Sequence, residues 1–312
     1  MRESEATMNN IEIIKDLKKD LPNTIALVGY GSGMYKQKGY NENDKPDKDI
    51  IVVVENLHRF LTEDYHLNPY HFGHGMTNKY KNIKGKNTDF FYHQIGCLKF
   101  PKNGINYKLL IAEQNAIEDD IKSWKYYGLA ARLSKPIIYD ELPQNIEALI
   151  NSNRKNTATV ALLTNPDDLV YRGQLYNTIS NLSYIGDLRM LAHFEKSTKS
   201  SDIVAGAEEF YNEIYGPLLG IENKDNMIEN QHPISSIEEL PTGLQEYITK
   251  HIDLKHASTN KEELIKLKNI INNYFFKTNL KNTPLLMYSC TRTLGISKSI
   301  KHALTKKRKS KR

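Results

Sequence analysis

Hydrophobic residues first recur at helical spacing. Ile11, Ile14, Leu17 and Leu21, with Pro22 just beyond, predict an amphipathic helix over 9–21. The period then changes. Residues 24–30 (TIALVGY) form an apolar run of strand length, followed at once by Gly31, Ser32 and Gly33. Residues 41–48 are polar and contain a proline, so they read as loop. Residues 50–54 (IIVVV) are β-branched throughout and bounded by charge, which predicts a central strand. A short helix is expected over 55–64 and a long loop over 67–89. Two strands follow, over 90–99 and 107–112, with a turn at PKNG, then a helix over 118–133 that ends before Pro136.

From Asn145 onward helical periodicity dominates, over 146–163, 167–183, 203–215, 237–250 and 262–276, with no strong strand and no internal repeat. The pattern predicts an α/β (α+β) domain over 1–150, a mainly helical domain over 151–290 and a basic amphipathic tail over 291–312. In that tail Ile296, Ile300, Ala303 and Leu304 share one helical face. No apolar window reaches the roughly 18 residues that a bilayer-spanning helix needs.

Composition changes this picture in two respects. With 39% hydrophobic and 26% charged residues the chain can bury a core, which excludes global disorder. Charge is uneven: residues 264–312 carry thirteen Lys or Arg and no acid, so of the net +6 the first 263 residues hold −7. A mildly acidic body with a basic end points to an anionic partner, a membrane surface or nucleic acid. Cys97 and Cys290 cannot form a disulfide framework, and His66, His71 and His74 have no cysteine near enough for a usual zinc site. A reducing, intracellular compartment is expected.

The chemistry concentrates in one constellation: strand, Gly31-Ser32-Gly33, loop, then Asp47-Lys48-Asp49 entering the next strand. Glycines let backbone N–H groups approach an anion, and the Ser32 hydroxyl can donate to a phosphate. Asp47 and Asp49 alternate by two, so on a strand they share one face and form a hard-oxygen site for Mg²⁺. Divalent cations there would clamp the attacking and leaving oxygens of a phosphoryl displacement. Alone, the turn could be an ordinary tight turn and the acids a solvated strand edge. Together they resemble the nucleotidyltransferase superfamily. A Walker A loop is excluded, because no Lys-Ser or Lys-Thr follows the glycines at its spacing.

The strings GYGSGMYKQ, LHRF, LNPYHF, WKYYGLAARLSKP and LSYIGDLRM extend the likeness. In combination they resemble the mitochondrial-type CDP-diacylglycerol synthases, peripheral phosphatidate cytidylyltransferases. The resemblance implies a nucleotidyltransferase domain, a helical, winged-helix-like domain and a membrane-associating C-terminus. It implies conversion of CTP and phosphatidate to CDP-diacylglycerol and pyrophosphate with Mg²⁺ or another divalent cation. Gly31, Ser32 and Gly33 match the family's phosphate loop and Gln37 its glutamine. Asp49 matches its acid at the head of the second strand, while a metal role for Asp47 rests on the superfamily pattern. His58, Asn68 and His71 match a His…Asn…His series. Lys108 matches a strand lysine, and Asp120 with Trp124 an acid and tryptophan four apart. Arg132, Lys135 and Pro136 match Arg-Leu-x-Lys-Pro; Gly186, Asp187 and Arg189 match Gly-Asp-x-Arg.

On this reading Asp47, Asp49 and Asp120 hold the metal and serve catalysis. Nucleotide contacts fall to Gly31, Ser32, Gly33, Gln37, Lys108, Arg132, Lys135, His58, His71, Asp187 and Arg189. Simpler roles stay open: Asp120 as an exposed acid beside a core tryptophan, Arg132 and Lys135 as helix C-terminal cations, Asp187 and Arg189 as a surface pair. In the tail, Ile296 and Ile300 with Lys298, Lys301, Lys306, Lys307 and Arg308 are expected to contact an anionic membrane surface. No nucleic-acid partner is expected. The first ten residues, with Glu3 and Glu5, resemble neither a secretory nor a transit peptide. A bacterial-type cytoplasmic protein, peripheral to the inner face of the membrane, is therefore the expected setting. The rival readings are another nucleotidyltransferase, modifying RNA or protein, and a non-catalytic basic-tailed binding protein.

Overall fold

The structure, a computed structural model, describes residues 2–35, 47–71, 95–193, 195–221, 226–253 and 260–294. Helix α1 (Arg2–Lys18) leads into β1 (Thr24–Tyr30), and β2 (Lys48–Val54) is followed by α2 (Leu57–Leu67). Strands β3 (Ile95–Lys102) and β4 (Ile105–Glu113) turn at Asn103-Gly104 and precede α3 (Gln114–Ser123), α4 (Ala130–Leu133) and β5 (Ile137–Tyr139). The five strands form one sheet in the order β3-β4-β2-β1-β5. Only β2 and β4 pair in parallel; the other neighbours are antiparallel.

The run IIVVV lies in the centre of that sheet, and each of its residues is fully buried. Burying each such side chain is worth about 1.5–3 kcal/mol. Successive strand residues face opposite sides. Ile50, Val52 and Val54 pack with Ile14 and Leu17 of α1 and Phe60 and Leu61 of α2. Ile51 and Val53 pack with Val28, Leu110, Ile117 and Trp124 on the other side. The same alternation puts Lys48 on the α1 face and Asp49 on the opposite one.

Helix α5 (Gln144–Leu163) crosses residue 150 and belongs to two cores. Its Ile146, Ile150, Val160 and Leu163 complete the core beneath the sheet, while Ala158 and Ala161 pack into a second core. That second core contains Leu175 and Tyr176 of α6 (Arg172–Asn181), Ile203 of α8 (Lys199–Gly206) and Tyr211 and Tyr215 of α9 (Glu208–Leu218). Between α6 and α8 lies the short α7 (Leu188–Leu191); α10 (Thr242–Thr249) and the long α11 (Lys261–Leu294) close the described chain. Among the described residues, no helix is long and apolar enough to cross a membrane.

The mixed α/β class agrees with the pattern, but six details do not. The helix expected over 118–133 is broken: Trp124 and Tyr127 sit at φ +51° and +50°, and the chain re-enters helix only at α4. The segment 167–183 opens with a strand, β6 (Leu169–Tyr171), which pairs with β7 (Met227–Glu229). Three-residue strands are too short to show a period, and β5 escaped notice for the same reason. The helix expected over 203–215 is two helices parted at Ala207, and that over 237–250 is a 3-10 turn followed by α10. The last helix, expected to stop at 276, continues to Leu294. Residues 295–312, and with them Ile296, Lys298, Ile300, Lys301, Lys306, Lys307 and Arg308, lie outside the described residues, as do Gln37 and His74.

Candidate functional site

Strand register builds the site. Tyr30, the last residue of β1, pairs with Asp49, and Asp49 pairs with Lys108 of β4. Directly opposed strand residues share a face, so the three stand in a row on the face opposite α1. The Lys108 ammonium lies 3.2 Å from Asp47 Oδ2 and 3.4 Å from Asp49 Oδ1, with each side chain about one-fifth to one-quarter exposed. Burial disfavours the lysine's charge, but Asp49 and Asp47 outweigh it and hold the Lys108 pKa above its usual value.

The glycine turn closes directly over the two acids. Gly31 lies at φ +75°, and a Cβ there would stand 3.1 Å from Asp49 Oδ2. A Cβ on Gly33 would come within 2.2 Å of the Asp47 carbonyl oxygen, so only glycine permits this approach. The Gly31 carbonyl accepts from the N–H groups of Met34 and Tyr35, which winds Gly31, Ser32 and Gly33 into a single helical turn.

Two carboxylates converging on one ammonium form a site that already gathers positive charge. The donors are hard oxygens, as Mg²⁺ requires. Asp47 and Asp49 are the described residues whose carboxylates could hold such an ion. Among the described residues, no group of three or more His, Cys, Asp or Glu side chains is gathered for a metal.

The cations expected to bind nucleotide form a second cluster, which begins beside Asp49. Arg132 Nε donates to Tyr30 Oη at 3.3 Å, and burial pushes that hydroxyl's pKa up. Lys135 Nζ donates to Ser183 Oγ at 2.5 Å and stands 3.9 Å from the centre of the Tyr184 ring. Gly186, at φ +75°, passes so close to Phe276 of α11 that a Cβ would meet backbone at 2.4 Å. The next residue, Asp187, caps α7 through the Arg189 N–H and pairs with the Arg189 guanidinium. The Gly-Asp-x-Arg spacing thus has a local cause: a left-handed turn, a cap and an arginine fixed by that cap. Arg189 and Lys199 bring the second half's positive charge to Lys135.

Lys135 carries the cost of that crowding. Burial first, then Arg189, Arg132 and Lys199, hold its pKa well below the usual 10.5. A depressed lysine is charged more readily in the unfolded chain, so its penalty is full below its folded pKa and fades as pH rises towards 10.5. Lys135→Met should therefore raise the melting temperature of the ligand-free protein by a few degrees at pH 7, about 1 kcal/mol. That gain should shrink in melts at pH 10, and substrate KM should rise. A variant less stable than the parent at pH 7 would contradict this account.

Four residues of the matched motifs, Asp120, Asn68, His71 and Trp124, make scaffold contacts. Asp120 is 2% exposed, and its Oδ2 accepts the N–H groups of Leu129 (2.7 Å) and Ala130 (3.0 Å). It ties α3 to the start of α4 rather than joining Asp47 and Asp49. His71 is fully buried with Nδ1 2.8 Å from Asp64 Oδ2, while Asn68 donates to Asp64 Oδ1 and to the Asp20 carbonyl. That network locks the end of α2 to the α1–β1 turn. His58 lies exposed on α2. Trp124 donates to Asn153 of α5 and packs on Tyr127 and Phe275, a core role. Sequence reasoning missed Tyr30, Ser183, Tyr184 and Lys199, whose site neighbours are distant in sequence; it also missed Asp64, the near partner of Asn68 and His71.

A family model described as "Phosphatidate cytidylyltransferase, mitochondrial" matches residues 11–309. Among curated proteins of that same name, the one from Schizosaccharomyces pombe is 27% identical over 286 residues, covering 88% of this chain and 70% of its own length. The Saccharomyces cerevisiae protein is 27% identical over 320 residues, 97% of this chain and 73% of its own. That from Dictyostelium discoideum is 30% identical over 242 residues, 69% of this chain and 55% of its own. These relatives are eukaryotic and named mitochondrial, which overturns the expected bacterial-type, cytoplasmic setting. That expectation rested on Glu3 and Glu5, which speak only for the first ten residues.

Proposed function

The chain belongs to the mitochondrial phosphatidate cytidylyltransferase family, and from that premise we propose how its own residues carry the reaction. The enzyme transfers a cytidylyl group from CTP to phosphatidate, giving CDP-diacylglycerol and pyrophosphate. The observation that carries the assignment of the site is the closure of the Gly31–Gly33 turn over Asp47 and Asp49, with Lys108 between the acids.

The turn receives the β- and γ-phosphates on its N–H side. Asp47 and Asp49 would hold Mg²⁺, which would supply charge neutralisation at the phosphates. Lys108 keeps the two carboxylates together and offers a fixed positive charge to the α-phosphate. Arg132, Lys135 and Arg189 supply further charge to the phosphates across the junction of the two halves. A phosphatidate phosphate oxygen attacks the α-phosphorus, and pyrophosphate leaves. The nucleophile is already an anion near neutral pH, so no strong general base is required. The first half is read as a nucleotidyltransferase domain, and the β6–β7 pair beside α6 supports a winged-helix-like second half.

Phosphatidate reaches the site at a membrane surface, to which the basic residues 298–312 bind. Removing residues 306–312 should weaken flotation with anionic vesicles, most clearly at low salt, since the Debye length shortens from ~30 Å at 0.01 M to ~10 Å at 0.1 M. Unchanged flotation would remove the tail from this reading. The central test is pyrophosphate release from CTP in phosphatidate-containing micelles. Release should need phosphatidate and a divalent cation together; release without the lipid would point to another acceptor.

A further inference from the structure

The residue between the two acids faces the other way. Lys48 projects to the α1 side of β2, where its ammonium donates to the Gly33 carbonyl at 2.5 Å and to Asn10 Oδ1 at 2.8 Å. Asn10, 8% exposed on α1, donates in turn from Nδ2 to the Met34 carbonyl at 2.8 Å. The two side chains form a clasp behind the glycine turn. We propose that Lys48 and Asn10 are positioning residues for the donor's phosphates: they hold the Gly33 and Met34 carbonyls towards α1 and, through the Met34 and Tyr35 N–H groups bonded to the Gly31 carbonyl, set the Gly31–Ser32 peptide that faces the triphosphate.

The geometry of the peptide unit supports this. In a trans peptide C=O and N–H point in opposite directions. The Gly31 carbonyl is turned inward to Met34 and Tyr35, and those of Gly33 and Met34 are turned back to the clasp. The N–H groups opposite the clasped carbonyls, those of Met34 and Tyr35, both donate to the Gly31 carbonyl, so the clasp steadies that carbonyl and, through the same peptide unit, the direction of the Ser32 N–H. Lys48 adds charge as well as anchorage. Both described acceptors of its ammonium are amide-type oxygens, so neither cancels its charge. Lys108 in front and Lys48 behind thus flank the same turn on opposite faces of β2. Asn10 lies just before the matched residues 11–309, so the clasp draws on a position that the family match does not reach.

This inference rests on reading the turn as the phosphate cradle. The test is steady-state kinetics of the full chain with Mg²⁺, CTP and phosphatidate in mixed micelles, with CTP binding followed by calorimetry. Lys48→Met should raise the KM for CTP about tenfold, while the KM for phosphatidate stays within about twofold and kcat within about threefold. Asn10→Ala should raise the CTP KM about threefold, and Lys48→Arg should recover much of the loss. The double variant should lose less than the product of the single effects, because both side chains belong to one clasp. A folded Lys48→Met with an unchanged CTP KM, or with both KM values raised together, overturns the proposal. If Lys48→Met does not fold, Asn10→Ala decides by the same readout, and an unchanged CTP KM there is equally fatal. Parent protein that binds no CTP would sink the cradle reading itself.

Discussion

Asp49→Asn should lower phosphatidate-dependent pyrophosphate release about 10²–10³-fold, with a melting temperature within about 2 °C of the parent. The first figure follows from what is removed. Asn keeps the shape of the side chain but loses the charge that, with Asp47, gathers cations beneath the turn. Losing one electrostatic group used in the transition state typically costs about 3–4 kcal/mol. The second figure follows from exposure. The Asp49 side chain is 24% exposed and its ammonium partner also has Asp47. A partly solvated pair of this kind is worth only about 0–1 kcal/mol of stability. The two effects therefore separate in one variant, read by a coupled pyrophosphate assay and a thermal melt. Asp49→Asn protein that keeps a tenth of parental activity would mean that this carboxylate takes no part in the chemistry.

How much of this was legible in the sequence depended on whether the cause of each feature is local. β1 and β2 were readable because buried central strands need apolar residues throughout, as TIALVGY and IIVVV provide. The glycine turn and the two acids were readable because their partners lie on the adjoining strand. β5, β6 and β7 were not, because three residues cannot display alternation. The break at Trp124 was not, because neither tryptophan nor tyrosine announces a left-handed backbone, and the acid that fixes the turn lies four residues earlier. Arg132 and Lys135 could be picked out as cations, but Tyr30 and Ser183, which hold them, are 102 and 48 residues away. Lys48 was hidden by its neighbours: between two candidate ligands it reads as a solvated strand edge until the pleat sends it to α1. The His…Asn…His series shows the opposite error. Asn68 and His71 matched a pattern, yet their partner Asp64 makes them part of the scaffold.

Asp120 offers the sharpest separation of a scaffold role from a metal role, because its two neutral variants should behave oppositely. Asp120→Ala removes the acceptor of two buried N–H groups, those of Leu129 and Ala130. Leaving them unsatisfied costs about 1–3 kcal/mol each, so the melting temperature should fall by about 6 °C or more. Asp120→Asn retains one oxygen to accept those bonds, and the parent's other oxygen, Oδ1, is buried without a described partner. Most of the stability should therefore remain, and activity should stay within about threefold of the parent. The pH dependence adds a signature. Burial raises the Asp120 carboxyl above its usual 3.8, against the downward pull of the amides around Leu129 and Ala130. A raised acid favours the folded state most below the unfolded value and loses that contribution as pH rises through the folded one. Asp120→Asn should flatten this part of the stability profile above pH 4. If Asp120 held the metal, both variants would be inactive at any temperature at which they are folded, so an Asp120→Asn protein that is fully folded but without turnover would return this residue to the reaction centre.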